Sequence, residues 1–571
     1  MNLALRTALE KCRRHVIAAA LFSALVNLLY IAPTLYMLQV YDRVVQTQGL
    51  QTLIFLTIAL VFALATLSLL DRVRSRLLVR AGVQLDTSLA PLILNATLGR
   101  PDFPQARQAL RDFDGLRATL TGPGVLALLD APWTPIYIVA CFLVHPLIGA
   151  LAILGCTILP LLALANQRGT RSRLNRAHAV AGATYANQDA LLDSADAIRA
   201  LGMREALVAR QLRQRVAMVA FQTEANFVSG SYLTGTKFTR LVLQSLALGL
   251  GALLAVNNQI SGGAIFASSF LMARALAPIE QLINGWKPVG QARLSLSSLS
   301  KLLDTSPAEA VPTRLPAPTG ALSVENIVVF NDTRDGTILN GVSFKVNPGE
   351  GLAIVGPSGA GKSTLIRALA GALLPDRGVV RFDEADARDW DTERLARHIG
   401  YLPQDSALFG GSISENIARF SVELDSDRSA IDAEVVAAAV RVGADSLIRR
   451  LPNGYDHQLK LGGRGVSAGQ AQRIALARAV YGAPKLLILD EPNAHLDVEG
   501  DAALAAAIVS LKAEGCTVLI VSHKLSIMPV IDKMLVLRDG RVHLFGTRDE
   551  VLPKIAPSNL RRVASPAVAG A

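Results

Sequence analysis

Residues 356–363 read Gly-Pro-Ser-Gly-Ala-Gly-Lys-Ser, between an apolar run at 352–355 and a helix-forming stretch entered at Thr364. Strand, glycine-rich turn and helix start form the context in which such a loop holds a polyphosphate. Gly356, Gly359 and Gly361 let backbone N–H groups around Pro357, Ser358 and Ala360 turn inward on phosphate oxygens, and the helix N-terminus adds a positive dipole. Lys362 brings charge, and the Ser363 hydroxyl can reach Mg2+. An ordinary glycine-rich turn shares part of this spacing, so residues further along decide. The apolar run 486–489 ends in Asp490-Glu491-Pro492. At a strand end Asp490 is suited to hold Mg2+ directly or through water, and Glu491 to orient or deprotonate an attacking water. Alone, such an acid pair reads as solvated surface. Behind a phosphate loop it reads as ATP hydrolysis.

These residues need a frame. After residue 310, short apolar runs alternate with helical stretches: 352–355 enters the loop, 486–489 enters Asp490, and 517–521 enters Ser522-His523. That is the pattern of an α/β P-loop ATPase domain with a largely parallel sheet. Pro307, Pro312, Pro316 and Pro318 resist helix and strand and mark a linker. The expected division is a transmembrane domain at 1–305, a linker at 306–319, the ATPase domain at 320–555 and a disordered tail at 556–571.

Ahead of the linker the chain is of another kind. With 571 residues and a mean hydropathy of +0.36, it is too long for one ordinary soluble domain and too apolar to be wholly soluble. Crossing hydrocarbon takes about 20 mostly apolar residues. Six stretches qualify, at 16–39, 52–70, 132–144, 147–165, 238–256 and 264–283, the third extendable upstream through Val125. Stretches 71–131 and 166–237 keep helical periodicity with many charges and read as helical extensions into the cytoplasm. Force from the ATPase half would enter through their turns, with 112–120 and 215–226 as contact elements.

Lys and Arg stay on the cytoplasmic side. Lys11, Arg13 and Arg14 precede the first span; Arg72, Arg74, Arg76 and Arg80 follow the second; Arg168, Arg171, Arg173 and Arg176 follow the fourth. Only Asp42 and Arg43 are charged between Tyr41 and Gln51, and residues 257–263 carry no charge. The N-terminus and the ATPase half are therefore expected to be cytoplasmic. The same arginines account for much of the net charge of +11, so no nucleic-acid partner is expected. Cys12, Cys141, Cys156 and Cys516 lack metal-ligand spacing and read as packing.

On these motifs the nucleotide half resembles the ATPase domain of the ABC transporter superfamily. There a Leu-Ser-Gly-Gly-Gln segment at a helix start closes on the γ-phosphate bound by the other subunit. Here it reads Val466-Ser467-Ala468-Gly469-Gln470, departing at the first and third positions while keeping Ser467, Gly469 and Gln470. The resemblance implies a homodimer with ATP sandwiched between subunits. It also matches Gln404 to the glutamine that senses Mg2+ and faces the membrane half, His523 to the switch histidine at the γ-phosphate, and Asp497 to the dimer-crossing loop. The adenine-stacking aromatic is expected where Asn331 stands, which leaves Phe330 as substitute. Residues 461–465, Leu-Gly-Gly-Arg-Gly, lack the Glu of related exporters, so cross-talk to the membrane half would use other residues.

The membrane half narrows the resemblance. Tyr-Met-Leu-Gln-Val-Tyr-Asp-Arg-Val at 36–44, Leu-Asp-Ala-Pro-Trp-Thr-Pro-Ile-Tyr at 129–137 and Arg-Ala-Leu-Ala-Pro-Ile-Glu at 274–280 are similar to type I secretion permease/ATPases that export proteases, lipases and repeat-in-toxin (RTX) proteins. What this implies is an inner-membrane exporter of unfolded polypeptides with an uncleaved C-terminal signal, working with a periplasmic adaptor and an outer-membrane channel. The stretch before residue 16 is too short for a leader-cleaving module. The nucleotide half alone would also suit a homodimeric exporter of lipid, drug or short peptide. An inactive membrane sensor is opposed by Lys362, Asp490, Glu491 and His523. Arg274, inside the sixth span, is costly unless it faces protein or water. It is expected to line the translocation path near the cytoplasmic side, the alternative being a partner among acids or carbonyls.

Overall fold

The computed structural model describes residues 3–99, 106–305, 315–331, 333–424, 427–522 and 524–555. Its contacts divide the chain into units of residues 1–308 and 309–571.

In the first unit, breaker-poor apolar sequence forms long helices: α1 (Leu3–Leu29), α2 (Ala32–Gln39), α3 (Leu50–Gly99), α4 (Ala106–Leu120), α5 (Pro123–Asp130), α6 (Thr134–Val144), α7 (Pro146–Asp193), α8 (Arg204–Val256) and α9 (Gly262–Thr305). At ~1.5 Å per residue α8 reaches roughly 80 Å, far beyond the ~30 Å of hydrocarbon. Among the described residues six helical segments are long and apolar enough to cross a bilayer. The third begins at Pro123, so its upstream extension is real. Pro123 and Pro135 fall in first turns, where a missing N–H costs nothing. Ile54, Phe55, Ile58, Val61 and Phe62 of α3 are exposed, a surface suited to lipid or to another apolar face. One core joins α1, α3, α4 and α9 around Leu89, Phe113 and Leu302; another joins α6 to α9 around Tyr137, Leu243 and Met272.

One expectation changes here. Residues 215–226 lie inside α8 and are not a turn, while 112–120 form the C-terminal part of α4, up to the turn at 121–122. The α7–α8 connection lies at residues 194–203, where the helix Ala195–Ala200 is followed by Gly202 at φ 66°. The charged helical surface looks alike on both sides of it, so periodicity does not mark the reversal. Arg74, one of the arginines that follow the second span, is buried. Its guanidinium donates to Asp130 and Asp71, each at 2.6 Å, and to the Ser23 hydroxyl at 3.1 Å. Ser23 and Asn27 also donate to Asp130, and the Tyr137 hydroxyl donates to the Asn27 carbonyl at 2.7 Å. The network ties α1, α3, α5 and α6 together.

The α2–α3 and α8–α9 connections are pinned to each other. Asp42, in the π-helical stretch Val40–Val44, accepts from the Gly263 N–H at 2.7 Å and from the Ser261 hydroxyl. Tyr41 stacks on Phe266 with centroids 4.5 Å apart. A Cβ on Gly263 would stand 2.8 Å from the Leu38 carbonyl oxygen, so this approach requires glycine.

The second unit holds β1 (Leu322–Phe330), β2 (Thr337–Val346), β3 (Gly351–Val355), β4 (Arg377–Phe382), β5 (Ile399–Leu402), β6 (Leu486–Asp490), β7 (Thr517–Val521), β8 (Lys533–Arg538) and β9 (Arg541–Thr547). One sheet runs β9-β8-β3-β7-β6-β5, parallel except at β9. β6 and β7 are buried throughout, as interior parallel strands covered on both faces must be. An antiparallel sheet orders β2-β1-β4 and ends in residues 385–386. Helices α10 (Lys362–Leu369), α11 (Ala468–Val480) and α12 (Val498–Ala513) pack with these layers. Parallel register sets Asp490 beside Val521 and Leu402 beside Leu489, which brings the loops after β5, β6 and β7 to one edge. Open α/β sheets bind ligands at this carboxyl edge. The tail at 556–571 lies outside the described residues, as does most of the linker.

Candidate active site

β3 delivers residues 356–361 to that edge. A Cβ on Gly356 would stand 2.2 Å from the Leu537 carbonyl oxygen of β8, so the loop leaves the sheet by hugging its neighbour. Gly361 has φ 93°, and a Cβ there would stand 2.8 Å from Leu339 Cδ2. Pro357, Ser358 and Gly359 are exposed at the tip, Ala360 is buried, and Ser363 and Thr364 are half-buried in the first turn of α10. Lys362 is 8% exposed and curls over its own loop, its Nζ donating to the Gly356 and Pro357 carbonyls at 2.8 and 2.9 Å.

Asp490 is 2% exposed at the end of β6. Burial pushes its carboxyl up from the ordinary range; a hydrogen bond with the Ser363 side chain opposes this, Glu491 adds to it, and Lys362 opposes it. Asp490 Oδ1 is buried and has no hydrogen-bond partner among the described residues. An unpartnered buried carboxylate oxygen beside a serine hydroxyl is a hard oxygen donor set, which fits Mg2+. Glu491 follows with φ 50°, uncommon for a side-chain-bearing residue, and its N–H donates to the Val521 carbonyl at 2.9 Å. Gln404, just beyond β5, donates from Nε2 to Glu491 Oε2 at 3.4 Å. Lys362, Ser363, Asp490, Glu491 and Gln404 thus gather at one edge.

The raised Asp490 carboxyl predicts a stability effect. Its folded pKa lies above the unfolded value, so the ionised form costs stability above the folded pKa, and the cost fades as pH falls through it. Asp490→Asn is expected to raise the melting temperature of the nucleotide-free protein by about 2–4 °C, and to abolish Mg2+-dependent nucleotide binding. Calorimetry with and without Mg2+ and ATP reads both.

Ser467, Gly469 and Gln470 form a second cluster. Ser467 caps α11: its Oγ accepts from the Gln470 N–H at 3.3 Å, while Gln470 Oε1 accepts from the Ser467 N–H at 2.8 Å. A Cβ on Gly469 would stand 3.0 Å from the His495 carbonyl oxygen, so glycine already serves a contact within this chain. Asp497 caps α12, accepting from the Gly500 N–H at 2.8 Å, and it pairs with Arg473. The Gly500 bond, helped by the Arg473 charge and its hydrogen bond, holds its carboxyl below the usual range against the opposing effect of desolvation. Among the described residues no hydrogen bond joins Ser467, Gly469 or Gln470 to the loop at 356–361.

Phe330 ends β1 half-buried, opposite Thr337, and its N–H donates to Asp376 at 2.9 Å. The next residue in β2, Ile338, places its carbonyl oxygen 3.0 Å from where a Gly361 Cβ would stand, so Phe330 lies near the loop. Asn331 serves a turn, bonding Asp335 and the Gly336 N–H. His523 lies outside the described residues; Ser522 before it donates to Asn493 at 3.2 Å.

Sequence reasoning passed over Gln472. It is 1% exposed, accepts from the Ser406 hydroxyl, and donates to the Pro492 and Glu491 carbonyls at 2.9 and 3.4 Å. It therefore fixes the backbone that carries Glu491 onto α11. An amide on the face shared with Ala475, Leu476 and Ala479 was the available signal.

Comparison with known proteins agrees with this geometry. A family model described as ABC transporter matches residues 339–494. The type I secretion system ATP-binding protein PrsD of Rhizobium meliloti (strain 1021) is 39% identical over 552 residues, covering 96% of this chain and 94% of that protein. The cyclolysin secretion/processing ATP-binding protein CyaB of Bordetella pertussis is 30% identical, over 94% of this chain and 76% of that one. Among solved structures, a bacterial Atm1-family ABC exporter with ATP bound superposes with a TM-score of 0.83 at 23% identity, over 98% of this chain and 99% of that one.

Proposed function

The chain belongs to the ABC transporter family, among its type I secretion ATP-binding proteins, and on that premise we propose that it is the inner-membrane engine that exports unfolded polypeptides with an uncleaved C-terminal signal, of protease, lipase or RTX class. The observation that carries this reading is the 39% identity to a type I secretion protein across 96% of the chain, membrane half included. ATP hydrolysis supplies the work. Lys362 and the backbone N–H groups of residues 356–364 hold the triphosphate, Glu491 takes the proton of the attacking water, and Gln404 orients Glu491. Ser363, Asp490 and Gln404 would hold Mg2+, which would neutralise negative charge on the triphosphate. By the family resemblance His523 is assigned to the γ-phosphate and Phe330 to the adenine. Because Ser467, Gly469 and Gln470 form a cluster without hydrogen bonds to the chain's own loop, a second copy completes each site, with Asp497 at the crossing. A periplasmic adaptor and an outer-membrane channel carry the polypeptide onward.

The test is ATP turnover of the purified protein in nanodiscs. An unfolded C-terminal fragment of an RTX-type protein is expected to change turnover several-fold, while added lipid or a folded control protein leaves it alone. Stimulation by lipid and none by the fragment would sink the reading.

A further inference from the structure

The membrane unit holds a half-open cavity of about 710 Å3 between α1, α3, α5 and α9. That volume lies within the ~300–1,000 Å3 of small-ligand sites. Its two cations are in opposite states. Arg74 is spent on Asp71 and Asp130. Arg274, half-buried and roughly 18 Å along α9 from Gly262, stacks over Tyr30 at 3.9 Å from the ring centroid. Among the described residues it has no hydrogen bond and no ion pair, so what it meets is an aromatic face and not the acid or carbonyl of the alternative reading. Stacking occupies the flat side of a guanidinium and leaves its N–H edge available. A cation at this depth is costly unless something answers it. The ring also fixes the plane of the fork, and a planar fork held in place is preorganised for a carboxylate. Leu126 and Pro278 make the adjoining wall apolar, while Asp71 and Asp130 oppose any second negative charge.

We propose that this cavity is a carboxylate-reading subsite for the exported chain, in which Arg274 takes one acidic side chain or a terminal carboxylate as a two-pronged ligand and Tyr30 holds the guanidinium flat. The proposal rests on the polypeptide-export reading above. A ligand with one localised charge beside short apolar groups satisfies every wall.

The probe is a short fluorescent Gly/Ser/Leu peptide bearing one Asp and a free C-terminus, compared with a twin bearing Asn and an amidated C-terminus. Binding is measured to the full-length protein in phosphatidylcholine nanodiscs, with and without phosphatidylglycerol. The acidic peptide is expected to bind about tenfold tighter, as a charge-assisted pair provides. Arg274→Gln should erase that preference, Arg274→Lys should keep part of it, and Tyr30→Leu, which retains the charge but frees its plane, should give an intermediate loss even if Arg274→Gln folds poorly. Equal binding of the twins by the unaltered protein overturns the subsite, as does equal loss of both peptides in Arg274→Gln. A preference abolished by phosphatidylglycerol assigns the cavity to lipid phosphate and also overturns it. If neither peptide binds while ATP is turned over, the polypeptide-export reading fails first.

Discussion

Glu491→Gln is expected to lower ATP turnover by about 10²–10⁴-fold, the usual contribution of a positioned general base, while nucleotide binding survives. The substitution keeps the shape of the side chain and the φ of 50°, so the backbone hold through Val521 and Gln472 stays intact and only proton acceptance is lost. ATP then persists in the site, and native mass measurement should find paired copies that the unaltered protein shows only transiently. Phosphate release measured alongside gives the rate. Turnover within tenfold of the unaltered protein would show that Glu491 is not the base. Persistent monomers under saturating ATP would remove the shared-site arrangement.

The second large effect is structural. Arg74→Ala leaves Asp130, whose side chain is only 13% exposed, facing Asp71 with no cation between them. Removing one partner of a buried ion pair costs about 3–5 kcal/mol, because the remaining charge stays desolvated. The membrane unit is therefore expected to melt far earlier, with α1, α3, α5 and α6 losing their common tie, whereas the ATPase unit, which has its own core, keeps its transition. The double change Arg74→Met with Asp130→Leu should recover much of the loss, since an apolar pair of similar volume replaces the charges. Thermal unfolding in detergent, followed by proteolysis within each unit, separates the two. A single-change loss below about 1 kcal/mol, the size of an exposed pair, would place the Arg74 network at the surface.

Much of the chemistry was legible in order along the chain because it is local. A strand, a turn with glycines at set offsets and a helix start are built by neighbours, so residues 356–364 announced a phosphate loop before any fold was known, and Asp490 with Glu491 announced the strand end that faces it. The spans were legible for the same reason: about 20 apolar residues in a row have few other uses. Asn331 stands where the adenine aromatic was expected, and what the structure adds is that Asp335 and Gly336 recruit it into a turn. Ser467 was legible as a helix start, but Gly469 was explained only by the His495 carbonyl, which is distant in sequence.

By itself the sequence determined the kinds of element, their order and the residue types that meet phosphate and water, since spacing of 3.6, of 2 and of single glycines is a local geometric fact. Only the tertiary structure decided the fate of the arginines: Arg74 became a buried neutralised cation, and Arg274 a stacked cation with its donors uncommitted. Charge counting treats such residues as equal. What separates them is whether a carboxylate from a distant helix arrives within about 3 Å, and that depends on how helices pack, which no local pattern encodes.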